Sequence, residues 1–313
     1  MSEQVCLSAT QPVLLIGAGR SGTNLIAMAL GHSEELFNVY EQRYVWTKGI
    51  RSMKTDVRGP EEATDEVAGY IRAHFERQAG AQTKQVRLVD KTPSNALRLA
   101  FCLRVFPKAK VINVIRNPLD NIASRIVELQ KAGQEVGGGD GAPASRGQVL
   151  LGRINHARDL IKRGNIPLDR IPAAVFDQAP EKVRIALFGG STRYAERVPG
   201  LREIVMAHGP IAGLCHQWRE LVMTSVRDGR KLGDDRYFEV FYDDVVQKPE
   251  ETGRMMTDFL ELGRPEPVID WLSNNAIPET VGNWRRRLTP VQRLEIIERL
   301  DSDIHFLNIQ IPK

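Results

Sequence analysis

Residues 13–30 read VLLIGAGRSGTNLIAMAL. The continuous apolar run Val13–Ile16 is typical of a short buried strand, and Thr23–Leu30 follows a helical pattern. Between them, the letters GAGRSG fit the G-x-G-x-x-G fingerprint of a dinucleotide-binding turn. Backbone N–H groups in such a turn and at the start of the following helix point at one spot, which favours an anion. The stretch therefore predicts a strand, a phosphate-binding loop and a helix.

The kind of phosphate is not decided by this loop alone. A Walker A loop has a lysine directly before the hydroxyl residue, whereas here the order is Arg20, Ser21, Gly22, Thr23, so a nucleotide kinase loop is excluded. A dinucleotide site remains open, and Glu41 stands near where a ribose-binding carboxylate is found in such sites.

Composition indicates a globular protein with a core of its own. The chain has 313 residues, of which 42% are hydrophobic and 26% charged. Its net charge of +4, without a long Lys/Arg run, favours a small anionic ligand over nucleic acid. The three cysteines have no C-x-x-C spacing, which predicts neither a disulfide framework nor a zinc site. We read no signal peptide and no membrane span, and expect a cytoplasmic protein.

Strands and helices alternate along the chain. Further strands are predicted at Gln85–Asp90, Lys110–Ile115 and Tyr237–Tyr242, each followed by a helical segment. This alternation predicts an α/β fold with a parallel sheet flanked by helices. Residues 131–148 are rich in Gly, Ala and Ser, and whether this loop acts as a lid is open. Since the pattern from 149 to 235 is mostly helical, we predict one domain over 1–313 with a helical insertion at 131–235.

Charged and aromatic residues stand at the ends of these strands. Lys91 follows one strand, Arg116 another, and Tyr242 closes a third. Because ligands of open parallel sheets bind beyond the carboxyl ends of the strands, these residues and Arg20 are expected to face one crevice. Their combined positive charge exceeds what one pyrophosphate needs. This amount of positive charge suits a nucleotide that carries phosphates at two separate places, together with a third charged group that is being transferred.

Four segments, in order, resemble the sulfotransferase family that uses 3′-phosphoadenosine 5′-phosphosulfate (PAPS). LLIGAGRSGTNLI resembles its 5′-phosphosulfate loop and VINVIRNPLDNIASRI its 3′-phosphate element. VFYDDVVQKPEE and VGNWRRRLTP resemble its Tyr-acidic-acidic segment and its late Gly-x-Trp-basic loop. The likeness covers residues 12–45, 86–130 and 236–290. It is nearest to the tyrosylprotein branch and its bacterial relatives, which share Arg-Ser-Gly-Thr, a stretch like YEQR, and a Lys-x-Pro turn like the one at Lys91.

The resemblance implies the P-loop-like fold of sulfotransferases, PAPS as donor, PAP as product, and no required metal. It implies a set of donor-binding residues, namely Gly19, Arg20, Ser21, Gly22, Thr23, Asn24, Arg116, Ser124, Tyr242, Arg285 and Arg287. Which of the three arginines 285–287 closes on the donor is left open, and Asn283 replaces the branch's basic residue before the tryptophan. The catalytic residues implied are Glu41 as general base, with Lys91 and Arg20 neutralising the transferring group.

The acceptor is expected to be a hydroxyl compound, and the insertion is expected to form much of its site. A glycan, a natural product or a lipid-linked sugar is favoured, with a peptide tyrosine as the alternative. A dinucleotide-dependent oxidoreductase would explain GAGRSG but would leave Lys91, Arg116 and Ser124 without a role. A non-catalytic nucleotide sensor is the remaining class.

Overall fold

A five-stranded parallel sheet forms the centre of the protein. The structure is a computed structural model that describes residues 11–50, 55–82, 86–135 and 196–311. The strands are β1 (Val13–Gly17), β2 (Leu36–Tyr40), β3 (Arg87–Lys91), β4 (Lys110–Ile115) and β5 (Tyr237–Phe241). They lie in the order β2-β3-β1-β4-β5, so β1 is central and pairs with both β3 and β4.

Helices connect the strands and cover the sheet. In chain order the described helices are α1 (Thr23–Leu30), α2 (Arg43–Trp46), α3 (Asp65–Gly80), α4 (Leu99–Val105), α5 (Pro118–Glu135), α6 (Leu201–Gly229), α7 (Tyr242–Gln247), α8 (Pro249–Phe259), α9 (Glu266–Asn275), α10 (Trp284–Arg287) and α11 (Pro290–Phe306). Short 3-10 turns occupy Pro60–Glu62, Pro93–Arg98 and Pro278–Thr280.

Both faces of the sheet are buried, as a parallel sheet requires. Along β1, Leu14 and Ile16 face one apolar cluster, whereas Val13 and Leu15 face the other. The first cluster includes side chains from α3 to α6 and α11, and the second includes side chains from α1, α8 and α9. This explains why the strand reads as a continuous apolar run rather than an alternating one.

The predicted α/β fold is confirmed, with corrections to individual elements. The bounds of α1 and β4 agree with the prediction, and Asn117 caps α5 by accepting from the N–H of Leu119 at 2.9 Å. The prediction missed β2, in which only Leu36 and Val39 are buried, because Asn38 interrupts its apolar pattern. It also carried the last strand one residue too far, since Tyr242 begins a helix.

Much of the predicted insertion 131–235 lies outside the described residues, including most of the loop 131–148. Within the described part, α6 contains the segment that the sequence marked as helical, and it is kinked at Gly209 before Pro210. Leu214, Trp218 and Leu221 of this helix are buried in the first apolar cluster. Among the described helices, none has the length and apolar character needed to cross a membrane.

Candidate active site

Candidate residues stand at the carboxyl ends of all five strands. Glu41 follows β2, Lys91 ends β3, the turn 18–22 follows β1, Arg116 follows β4, and Tyr242 follows β5. Because the strands are parallel, these residues share one edge of the sheet, in the order Glu41, Lys91, turn, Arg116, Tyr242. This is the position where ligands bind in open α/β folds.

The turn after β1 is held in place by hydrogen bonds within the protein. Arg20 (φ 70°) and Gly22 (φ 98°) both have left-handed backbone, and the N–H of Ser21 donates to Ala18 O at 3.0 Å. From α5, the Asn121 side chain donates to Gly19 O at 2.9 Å and to Ser21 Oγ at 3.1 Å. These hydrogen bonds fix the positions of the remaining N–H groups of the turn and of the start of α1. Fixed N–H donors at the start of a helix favour the binding of an anion.

Two adjacent cavities open on either side of this turn. The β2–β3 cavity, of about 260 Å³, is lined by residues that include Gly19, Arg20, Glu41, Lys91, Arg125 and Glu196. The β4–β5 cavity, of about 230 Å³, is lined by residues that include Arg20, Gly22, Arg116, Tyr242, Ile277 and Thr280. Arg20, Thr23 and Asn24 line both cavities, so the two cavities lie next to each other at the turn after β1.

An acid and a base meet in the β2–β3 cavity. Lys91 Nζ lies 2.5 Å from Glu41 Oε1. The lysine side chain is 6% exposed, whereas that of Glu41 is 55% exposed. Glu41 therefore reaches from a buried cation toward the open part of the cavity. Its neighbour Arg43 does not pair with it, because Arg43 binds Asp56 with two hydrogen bonds of 3.0 Å.

Arg116 organises the β4–β5 cavity. Its guanidinium lies 4.3 Å from the centre of the Tyr242 ring and donates to Arg20 O at 3.0 Å and Thr280 O at 3.2 Å. The Tyr242 hydroxyl is 2.8 Å from Thr280 Oγ1. Burial lowers the pKa of Arg116, with the nearby Tyr242, Asp120 and Asp243 acting in the opposite direction. Its Nε is buried and has no hydrogen-bond partner among the described residues.

Ser124 contacts Arg20, in the turn after β1, rather than Arg116. Arg20 Nε donates to Ser124 Oγ at 3.2 Å, and Arg20 Nη1 lies 3.8 Å from Glu128 Oε1. Both Ser124 and Glu128 belong to α5, which begins shortly after Arg116. The helix thus brings the hydroxyl to Arg20, although Ser124 itself lines neither of the two described cavities.

Two buried carboxylates neutralise the other cations of the β2–β3 cavity. Although burial raises the pKa of Asp56, Arg43 and Arg98 bring it below its ordinary value. Arg125 pairs with Glu196, which is almost fully buried, and with the more exposed Glu128 at 3.2 Å. The cations of this cavity are therefore held in ion pairs.

The arginines 285–287 lie on α10, away from the lining of both cavities as far as the described residues define it. Arg285 stacks on Trp284 at 4.5 Å, and Arg286 donates to Asn283 Oδ1 at 2.6 Å. A closing role for Arg285 or Arg287 stays a prediction.

Several lining residues had no signal in the sequence. Thr280 reaches Arg116 across 164 positions of the chain, and Glu196 reaches Arg125 across 71. Arg125, which lines a cavity, and Asn121, which holds the turn after β1, could have been found because they lie on α5 close to the predicted Ser124.

Gly22 is expected to tolerate no side chain. A Cβ there would lie 2.2 Å from Cδ2 of Tyr242, and the backbone is left-handed. We expect Gly22→Ala to lower the melting temperature by several degrees, since strain of this kind costs about 1–3 kcal/mol, and to weaken nucleotide binding. Differential scanning fluorimetry measures the shift.

Gly69→Ala is the matched control for that variant. Gly69 is an exposed glycine inside α3 with nothing within 4 Å of an added Cβ. This substitution should leave the melting temperature unchanged or raise it slightly. An equal loss in both variants would refute the steric account of Gly22.

The known proteins that this chain resembles include several sulfotransferases. The model of the Sulfotransferase family matches residues 12–166. Sulfotransferase STF9 from Mycobacterium avium shares 14% identity at a TM-score of 0.51, covering 99% of this chain and 80% of that one. The sulfotransferase domain of the Synechococcus PCC 7002 olefin synthase shares 17% identity at a TM-score of 0.48, with 96% and 97% coverage. Mouse sulfotransferase SULT7A1, solved in complex with PAP, shares 12% identity at a TM-score of 0.48, with 97% and 90% coverage. No curated protein matches the chain significantly.

The Sulfotransferase family model thus matches the part of the chain that holds β1 to β4 and the turn after β1, and this match supports a sulfotransferase enzyme. The likeness to the Mycobacterium avium enzyme is one of fold.

Proposed function

We propose that this chain holds PAPS across the two cavities and transfers its sulfuryl group to a hydroxyl acceptor. In this proposal the amides and side chains of residues 19–24 bind the 5′-phosphosulfate, and Arg116 and Ser124 bind the 3′-phosphate. The observation that carries it is the meeting of the two cavities at Arg20, Thr23 and Asn24, on the edge where Arg116 stands.

The residues of the β4–β5 cavity fit an anionic nucleotide. The buried Nε of Arg116 lacks a partner among the described residues, and a guanidinium gains most from a phosphate or carboxylate acceptor. Tyr242 offers an aromatic face beside it, and its ring fills the space that a side chain at position 22 would occupy. We propose that Tyr242 lies against the nucleoside.

PAPS supplies the sulfuryl group when it is bound. Transfer to a hydroxyl is an in-line displacement in which negative charge spreads over the sulfuryl oxygens, so fixed cations stabilise the transition state. We assign that role to Lys91 and Arg20, which line the same cavity. Glu41, beside Lys91 and open to the cavity, is the general base that accepts the proton of the acceptor hydroxyl.

The charge balance of the β2–β3 cavity favours an uncharged acceptor. Among its described lining residues, Lys91, Arg43 and Arg125 are each paired with a carboxylate. An acidic acceptor would have to compete with these carboxylates, whereas a polyhydroxylated one can hydrogen-bond to them. A glycan, a hydroxylated natural product or a lipid-linked sugar therefore fits better than a tyrosine flanked by acidic residues.

Nucleotide binding separates this proposal from the dinucleotide alternative. We expect PAP, at about 100 times its dissociation constant, to stabilise the protein by about 2.7 kcal/mol, whereas NADP(H) produces no shift. Thermal unfolding with each nucleotide measures both effects. Stabilisation by NADP(H) but not by PAP would overturn the proposed function. An acceptor screen with radiolabelled PAPS then identifies the hydroxyl compound.

A further inference from the structure

The backbone of Glu41 is held in an uncommon conformation. Its φ of 54° is left-handed, which for a residue other than glycine is sparsely populated and costs about 1–3 kcal/mol unless its surroundings enforce it. Here two hydrogen bonds enforce it, one on each side. The N–H of Glu41 donates to Lys91 O at 3.0 Å, and the N–H of Gln42 donates to Thr92 Oγ1 at 2.9 Å.

The hydroxyl of Thr92 is itself fixed. It donates to Asp90 Oδ1 at 2.7 Å, so its lone pairs face away from that carboxylate and one accepts from Gln42. The other oxygen of Asp90 accepts from Trp46 Nε1 at 2.7 Å and from Asn95 Nδ2 at 2.9 Å. Asp90 and Thr92 are both fully buried. A hydroxyl between a buried carboxylate and a buried amide cannot turn without leaving one of them unpaired.

Gln42 carries this restraint to the neighbouring helix. Its side chain is fully buried, donates to Tyr40 O at 2.9 Å, and lies 2.8 Å from His74 Nε2 of α3. Burial lowers the pKa of His74 to about 4, so this ring is neutral at physiological pH. Glu41 is thus the exposed residue between two anchored neighbours, Tyr40 in β2 and the buried Gln42.

We propose that Thr92 is a positioning residue, whose hydroxyl fixes the backbone of Glu41 so that its carboxylate faces the acceptor. The inference rests on the proposed function, because it acts through Glu41 as base. Without the hydroxyl, the Gln42 amide loses its acceptor and residue 41 can relax to a more common conformation. The carboxylate would then leave the place set by the 2.5 Å contact with Lys91. Misplacement of a catalytic group by about 1 Å can cost roughly 100-fold in rate.

Thr92→Val tests this directly, because valine has the shape of threonine without the hydroxyl. We expect kcat to fall roughly 10- to 100-fold, with the dissociation constant for PAP unchanged. Thr92→Ser, which restores the hydroxyl, should recover most of the turnover. Thr92→Ala makes the same test should valine prevent folding, and urea unfolding shows whether each variant is folded.

Trp46→Phe is the structural control. It removes a different donor from the same carboxylate and leaves the bond between Thr92 and Gln42 in place. We expect this variant to lose stability but to keep its kcat. Equal losses of kcat in Trp46→Phe and Thr92→Val would overturn the proposal, since they would report a damaged core.

A double-mutant cycle with Glu41→Gln separates this inference from the proposed function. If Thr92 acts through Glu41, Thr92→Val causes no further loss of kcat once Glu41 has been replaced. If the double variant instead lost kcat by the product of the two single-variant factors, the positioning role would be overturned, because the two residues would then act independently. Unchanged turnover in Glu41→Gln alone would instead refute the general base, whatever Thr92 does.

Discussion

Glutamine in place of Glu41 is expected to reduce turnover about 100- to 10,000-fold while PAP binding is retained. The amide has nearly the shape of the carboxylate but cannot accept the proton of the acceptor hydroxyl, and general-base catalysis contributes about that much. Steady-state assays with radiolabelled PAPS measure kcat, and calorimetry with PAP measures binding. Turnover equal to that of the parent protein would remove Glu41 as the base.

The chain offers a close control in Glu261. This residue also has left-handed backbone, with φ 57°, and its carboxylate lies 2.8 Å from a lysine, Lys110 Nζ. Lys110 begins β4, so this pair stands at the opposite edge of the sheet. Glu261→Gln should therefore leave kcat unchanged. Loss of turnover in both variants would show that removal of a surface ion pair, rather than of a base, is responsible.

Alanine in place of Arg116 is expected to weaken PAP binding roughly 10- to 100-fold, since hydrogen bonds to charged groups contribute about 1.5–3 kcal/mol. The effect should be specific to the 3′-phosphate. Binding of adenosine 5′-monophosphate, which lacks that group, should change little. Calorimetric titration of both nucleotides into both proteins gives the four dissociation constants.

Arg236→Ala serves as the control for Arg116. Its guanidinium also binds a backbone carbonyl, that of Ala109, but at the amino-terminal edge of the sheet. It should bind PAP as tightly as the parent protein. An equal fall in affinity for PAP and the monophosphate in Arg116→Ala would contradict the assignment, because it would indicate a general distortion of the turn at Arg20.

The fold was predictable because short, local stretches of sequence determine its central strand, turn and helix. The apolar run of β1, the glycine turn and the helix after it follow from backbone chemistry within eighteen residues, 13–30. Asn117 and Pro118 likewise mark the start of α5. Since the carboxyl ends of parallel strands share an edge, the residues that follow each predicted strand could be grouped from the amino-acid sequence alone.

The pairing within the site could not be predicted in the same way. Glu41 and Arg43 are two residues apart in the sequence, yet Glu41 pairs with Lys91 and Arg43 pairs with Asp56. The reason is β2, which the pattern did not show and which brings residue 41 beside the end of β3. The contact between Thr280 and Arg116 joins two residues that are far apart in the sequence. No local sequence pattern predicts that two such residues meet.

The measurement that tests the central claim most directly is a crystal structure of the protein with PAP. The account predicts one nucleotide across both cavities, with its 5′-phosphate at the N–H groups of residues 19–24 and its 3′-phosphate within hydrogen-bond distance of the Arg116 guanidinium. PAP bound away from this edge of the sheet, or with its 3′-phosphate in the β2–β3 cavity beside Lys91, would contradict it.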